Sequence, residues 1–286
     1  MQLQVLTQTL VNSISLSLIY ILFSVGLTLS AGIFDSWNFA FGEFVMAAGY
    51  ITYLVTSKWK LGYPLALITA MVFVSLIGII FEKAIFYPMR NRPSMAPSLA
   101  TFGAVGILQT IALLIFGGNA LGTPNILSGQ LHVGKIVFSL ENLPVIIGAL
   151  LMISLLFFFI QHTKLGLAIR ALQQDPSAAA LQGMNIATIR IIVWITASCM
   201  AAAAGVLLSP VESVFPTVGS ALLLQGFAVV ILGGLGSIPG ALIGGFALGF
   251  INSFTMTYLG TYSYLFAFGI IMLVIILRPQ GLLGRR

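Results

Sequence analysis

Between Ser213 and Leu277 the sequence carries no charged side chain at all. A water-soluble domain carries about 25% charged residues, so this stretch has to face lipid or protein rather than water. The rest of the chain agrees with it: of 286 residues 59% are hydrophobic and 6% charged, and the mean hydropathy is +1.11. In hydrocarbon an unpaired backbone N–H or C=O is too costly to keep, so only helices or a closed barrel can span. Barrel strands run for roughly ten residues and alternate polar with apolar. The runs here are about 20 residues long and apolar all round, which is the length a helix needs to cross. The expected fold is therefore all-α: one polytopic transmembrane bundle over residues 1–286, with some helices broken by glycine and proline.

Apolar stretches lie near 10–32, 39–56, 62–82, 98–117, 143–161, 189–208, 222–235, 238–255 and 261–277. The seventh is short and ends in glycines, so it counts either as a crossing or as half of a broken helix. That leaves eight or nine crossings at about 20 residues each. Basic residues collect in cytoplasmic loops, which assigns the segments holding Lys83, Arg90 and Arg92, then Lys164, Arg170 and Arg190, then Arg278, Arg285 and Arg286 to the cytoplasm. The loop 118–142 holds only Lys135, and 209–221 holds no base, so both are expected outside. Nine crossings then put the N-terminus outside, together with Lys58 and Lys60, and eight put it inside; the parity stays open. The same rule accounts for the net charge of +6 without nucleic-acid binding.

Several chemistries are excluded or thinly equipped. No Lys or Arg precedes Lys58, so the charged region of a cleavable signal peptide is not seen. Cys199, the single cysteine, cannot form an internal disulfide and reads as a small core residue. Glu43 is the one acid expected clearly inside a span, which is little for a proton-coupled machine. A G-x-x-x-x-G-K-[ST] phosphate loop is absent, so ATP is not expected to bind here in that way. No catalytic or metal-binding set is expected either.

The segment at about 162–188 is the most informative. Asp175-Pro176 reads as an N-cap followed by a first-turn proline: the carboxylate accepts from free amides, and proline lacks the amide that would be left over. Ser-Ala-Ala-Ala-Leu-Gln favours helix, and Gly183 suits the left-handed residue that ends one. A capped helix of about two turns is marginal alone, so the rest of the chain or a partner has to hold it. From Lys164 to Asn185 the segment resembles the cytoplasmic coupling loop of the permeases of branched-chain amino acid ABC importers. Gly166, Ala168, Ile169, Arg170, Asp175, Pro176, Ala179, Leu181 and Gly183 match that pattern.

Two further stretches resemble the same family. Trp37 to Tyr50 is similar to its second-helix signature at Asn38, Gly42, Glu43, Met46 and Tyr50, although Phe41 stands where the family often has histidine. A charge at a helix centre costs roughly 2.5–3.5 kcal/mol on insertion scales, so Glu43 is expected to face protein or water. It is either an acid lining the translocation path or a structural carboxyl, and the loss of histidine weakens the first reading. Gly226 to Gly245 is similar to a glycine-rich signature, with Gln225 in place of a frequent lysine. There Gly233, Gly234, Gly236, Pro239, Gly240 and Gly244 are expected to break one helix and let others approach backbone to backbone. The tail at Arg278-Pro-Gln-Gly-Leu-Leu-Gly also fits.

The resemblance runs from about residue 10 to the C-terminus and implies the shorter of two permease subunits. It implies a second homologous permease, two cytoplasmic ATPases that bind ATP and magnesium, and a solute-binding protein outside, with no cofactor in this chain. It also implies the bacterial inner membrane and alternating access driven through the coupling loop. Branched-chain or related small amino acids are the implied substrates. Import of urea or short amides is the alternative within the family, and a self-sufficient facilitator or secondary transporter is the alternative outside it.

Overall fold

The computed structural model describes residues 2–283, apart from 35, 128, 134, 135, 235, 263–268, 270, 271, 273–275 and 277–280. These residues form ten α-helices and one short hairpin. They are α1 (Gln2–Phe34), α2 (Phe41–Tyr53), α3 (Tyr63–Phe81), α4 (Met95–Phe116), β1 (Gln130–Val133), β2 (Ile136–Ser139), α5 (Asn142–His162), α6 (Lys164–Gln174), α7 (Pro176–Leu181), α8 (Ile186–Leu208), α9 (Val218–Gly233) and α10 (Ile238–Leu259). A wider π-turn continues α2 through Leu54–Lys58 and α3 through Glu82–Phe86.

Six of these helices are long and apolar enough to cross a membrane: α1, α3, α4, α5, α8 and α10. The expected eight or nine crossings are not reached by that measure. α9 is apolar but only 16 residues long, and α2 has 13 before its π-turn. The run expected at 261–277 lies almost wholly outside the described residues, as do Arg278, Arg285 and Arg286. The β1–β2 hairpin, antiparallel with Gln130 opposite Ser139, is not foreseen by the apolar pattern; it sits in the long loop between α4 and α5.

The chain stops and starts helices where local chemistry dictates. Gly117, at φ 79°, ends α4. Asn185 caps α8 by accepting from the Thr188 amide at 3.2 Å, and Ser237 caps α10 by accepting from Gly240 at 3.1 Å. α1 is the central post, packed on α5, α8, α9 and α10. α8 packs on α1, α2 and α3, with Ala201 to Ala204 and Trp194 wholly buried. α4 is the opposite case: only 11% of its membrane-length window is buried, and Leu99, Phe102, Ile107 and Leu114 point outward.

Apolar side chains gain nothing by leaving lipid for one another, so packing depends on close approach. Gly233 and Gly240 touch backbone to backbone where α9 meets α10, and a methyl on either would meet the other's carbonyl. Gly42 and Gly219 join α2 to α9 in the same way.

The bundle has two chemically distinct ends. At one, the α3 extension meets the start of α8, Gly32 of α1 lies against Gln173 of α6, and Leu282 and Leu283 donate backbone hydrogen bonds to Leu232 and Gly233 at 2.8 and 3.0 Å. Lys83, Lys164, Arg170 and Arg190 belong to elements at this end. At the other end, Leu121 and Val214 exchange backbone hydrogen bonds, Thr123 donates to the Ser209 carbonyl at 2.7 Å, and the Ser139 amide donates to Gln8 of α1 at 3.2 Å.

Gly240→Val is expected to destabilise the purified protein by about 1–3 kcal/mol, as overpacking does. Gly122→Ala, where a methyl meets nothing within 4 Å, should stay within about 0.5 kcal/mol. Thermal unfolding in mild detergent, followed by tryptophan fluorescence, checks both; equal midpoints would remove the close approach as a stabilising contact.

Candidate functional site

The loop expected at 162–188 is two helices rather than one. α5 ends at His162, and Thr163 turns the chain with φ −106° and ψ 154°, its hydroxyl accepting from the Gly166 amide at 3.0 Å. Gly166 lies so close beneath α5 that a Cβ there would strike the carbonyls of Phe159 and Ile160. α6 then buries Ile169 and Leu172, leaving Ala168 and Arg170 half-buried. Asp175 separates the two helices: its Oδ1 accepts from Ser177 at 2.8 Å and Ala178 at 3.0 Å, and Pro176 follows as the first residue of α7. Ala179 is buried and pins α7 to the bundle, whereas Leu181 is 88% exposed. Gly183 takes φ 76°, and Met184 donates back to the Ala179 carbonyl at 3.3 Å, which ends the helix with a left-handed residue. The result is an anchored bracket at the basic end that presents Ser177, Ala178, Ala180 and Leu181 outward.

Glu43 occupies a second place, near the start of α2. The chain before it, from Ser36 to Ala40, is not helical, so its amides need partners. α4 supplies them: Trp37 donates to Ser98 at 3.1 Å and Phe39 to Thr101 at 3.1 Å, while Asn38 accepts from the Ala40 amide at 3.0 Å. Glu43 itself is 1% exposed. Its Oε1 accepts from Gln109 of α4 at 2.8 Å and from Ser220 of α9 at 3.0 Å; its Oε2 has no partner. One carboxylate thus ties three helices together, beside the contact of Gly42 with Gly219. Tyr50, stacked on Phe116 at 4.1 Å, holds the far end of α4.

The sequence reading misses the α4 partners, although a signal is present. Ser98, Thr101 and Gln109 are polar residues in an apolar helix at helical spacing, and hence on one face. It also misses Glu82, which lies in the α3 extension. Arg190 Nε meets Glu82 Oε1 at 2.8 Å, Trp194 Nε1 donates to Oε2 at 2.8 Å, and the guanidinium lies 4.7 Å from the Phe34 ring centre. In the sequence Arg190 reads only as a flanking base, because a pair formed across more than 100 positions leaves no local pattern.

The glycine-rich segment divides three ways. Gly233 and Gly240 form the α9–α10 contact, and Gly244 lies under the Val229 carbonyl. Gly234 and Gly236 lie between the helices at φ 101° and 75°, and Gly236 has no neighbour where a Cβ would be. Pro239 is in the first turn of α10.

Comparison with known proteins decides the family. The model of the branched-chain amino acid transport system / permease component family matches residues 9–276. The chain belongs to that family. It is 30% identical to the high-affinity branched-chain amino acid transport system permease protein LivH of Salmonella typhimurium, over 97% of this chain and 95% of that one. It is 31% identical to the permease protein BraD of Pseudomonas aeruginosa, with the same coverage. The solved structure of PsaBC from Streptococcus pneumoniae in complex with Fab aligns with a TM-score of 0.53 at 14% identity, covering 96% of this chain and 92% of that one; this likeness is one of fold. The chain is accordingly a multi-pass membrane permease component and not itself an enzyme.

Glu43→Leu removes the acceptor of the Ser220 hydroxyl and one of the two acceptors of Gln109 Nε2, which keeps Ser220 Oγ at 2.8 Å. It should cost about 1–3 kcal/mol, with Glu43→Gln costing less because an acceptor remains. Arg190→Met alone should cost about 3–5 kcal/mol by leaving Glu82 buried and unpaired. The double variant Glu82→Gln with Arg190→Met should recover part of that loss. Unfolding midpoints of the series test both clusters; strict additivity at 82 and 190 would contradict the pairing.

Proposed function

We propose that this chain is a membrane-spanning subunit of an ATP-driven importer that moves branched-chain or related small amino acids across the bacterial inner membrane. Near-full-length similarity to LivH and BraD supports the substrate class. The observation that carries the mechanism is the α6–α7 bracket: Ile169, Leu172 and Ala179 are buried in the bundle while Leu181 is exposed at the basic end. A helix fixed on one side and bare on the other can transmit a push. In this reading a cytoplasmic ATPase, which holds ATP and magnesium, receives α7 in a groove, and its closure moves α5 and α8 through the loop. Two such ATPases, a second homologous permease and an external solute-binding protein complete the assembly.

We infer nine passes with the N-terminus outside. α1 runs from the Gln8–Ser139 end to the Gly32–Gln173 end, and each following long helix, with α2 and α9, alternates between them. The turn Gly260–Tyr262 closes α10 at the far end, Leu282 is bonded at the basic end, and the apolar sequence run at 261–277 is long enough to supply the ninth pass of this reading. Lys58 and Lys60 then lie outside, a minor exception to the excess of bases on the cytoplasmic side.

Asp175→Ala removes the cap of α7, worth about 0.5–2 kcal/mol, and Leu181→Asp puts a charge on its bare face. Both should lower amino-acid uptake by the assembled importer while ATP hydrolysis persists. Uptake and hydrolysis measured on the same proteoliposomes check this, and unchanged uptake in both variants would sink the docking role. Uptake by this chain reconstituted alone would favour a facilitator instead.

A further inference from the structure

A cavity of about 540 Å³ opens at the basic end between α1, α5, α6 and α10, a volume typical of small-molecule sites, which run to about 300–1,000 Å³. Its chemistry is divided. The inner wall is apolar, with Leu22 and Val25 of α1, Leu156 of α5 and Met200 of α8. The outer wall is polar and rich in donors: Arg170 and Gln173 of α6, with the first turn of α10 beside them. Arg170 is the one charged residue among the described lining residues, and no carboxylate is among them. Its Nε is buried without an acceptor, as is Nε2 of Gln173, and its Nη1 reaches Gln161 Oε1 only at 3.4 Å. The start of α10, a helix of 22 residues, adds the positive end of a helix dipole.

We propose that this cavity binds an anionic phospholipid of the cytoplasmic leaflet, its phosphate on Arg170 and Gln173 and part of an acyl chain along Leu22, Val25 and Leu156. Four observations favour that occupant. The unpaired donors call for an anion, and a charge-assisted bond to a guanidinium is the strong kind. The apolar depth calls for a hydrocarbon chain, which a free phosphate lacks. An amino acid would bring an ammonium group as well, and no described lining carboxylate is there to receive it. The mouth also suits entry from lipid, since Phe157 on its edge belongs to the outward face of α5 with Leu155 and Phe158. Only the choice of leaflet rests on the orientation proposed above. A lipid seated there would brace α6 against α1 and α10, and so set how firmly the coupling bracket is held.

The test is binding of a fluorescent-tailed phosphatidylglycerol and of the matching phosphatidylcholine to the delipidated, full-length protein in mild detergent. One phosphatidylglycerol should bind per chain, about fivefold or more tighter than phosphatidylcholine, the preference that one basic residue supplies near a membrane surface. Arg170→Lys should keep the preference, Arg170→Gln should remove it, and Val25→Trp should lower binding of both lipids by filling the apolar depth. Thermal unfolding confirms that each variant is folded. If Val25→Trp does not fold, the Arg170 pair decides alone. Equal binding of the two lipids, or an unchanged preference in Arg170→Gln, overturns the proposal. So does inorganic phosphate or leucine displacing the lipid at its own Arg170-dependent affinity, because the site would then belong to a small anion or an amino acid.

Discussion

A bundle in lipid has to be held without the hydrophobic effect, and in this chain backbone contact takes that role. Where α9 turns into α10, Gly233 and Gly240 leave no room for a Cβ, and Gly42 meets Gly219 in the same way. These contacts let dispersion act over the shortest helix separations available. They also leave the helices on either side free to carry apolar residues of any shape outward, as α4 does.

Polar side chains then fix which helices meet. Interhelical hydrogen bonds in membranes average only about 0.6 kcal/mol, so their main effect here is to specify partners. α4 shows this best, because it has little buried surface of its own. Ser98 and Thr101 receive the non-helical amides before α2, Gln109 reaches Glu43, and Phe116 stacks on Tyr50. Glu82, Arg190 and Trp194 tie α3 to α8 at the basic end, next to the α6–α7 bracket. α8, which follows the bracket in the chain, is thus cross-linked to the α3 extension.

Much of this is legible in the sequence, for physical reasons. Apolar runs of helical length mark most of the helices, Asp175-Pro176 marks the start of α7, and Gly183 marks its end. The glycine pair at 233 and 234 marks the α9–α10 break. By length and composition six helices count as spans, since α2 and α9 are shorter and are buried against other helices. α6 does not separate from α5 in the sequence, since its cap, Thr163, follows directly on the last residue of α5. The Glu82–Arg190 pair and the donors around Glu43 are long-range contacts, and their one sequence signal is the polar stripe on α4.

The central claim, that α7 docks on an ATPase, is tested most directly by site-specific crosslinking. Cys199 is the single cysteine, so Cys199→Ser followed by Leu181→Cys gives one attachment point for a photo-crosslinker. In membranes that also hold the cognate ATPase, the account predicts an adduct between the two chains whose yield changes with ATP. An adduct with lipid or solvent alone, at a position that is labelled fully, would contradict it.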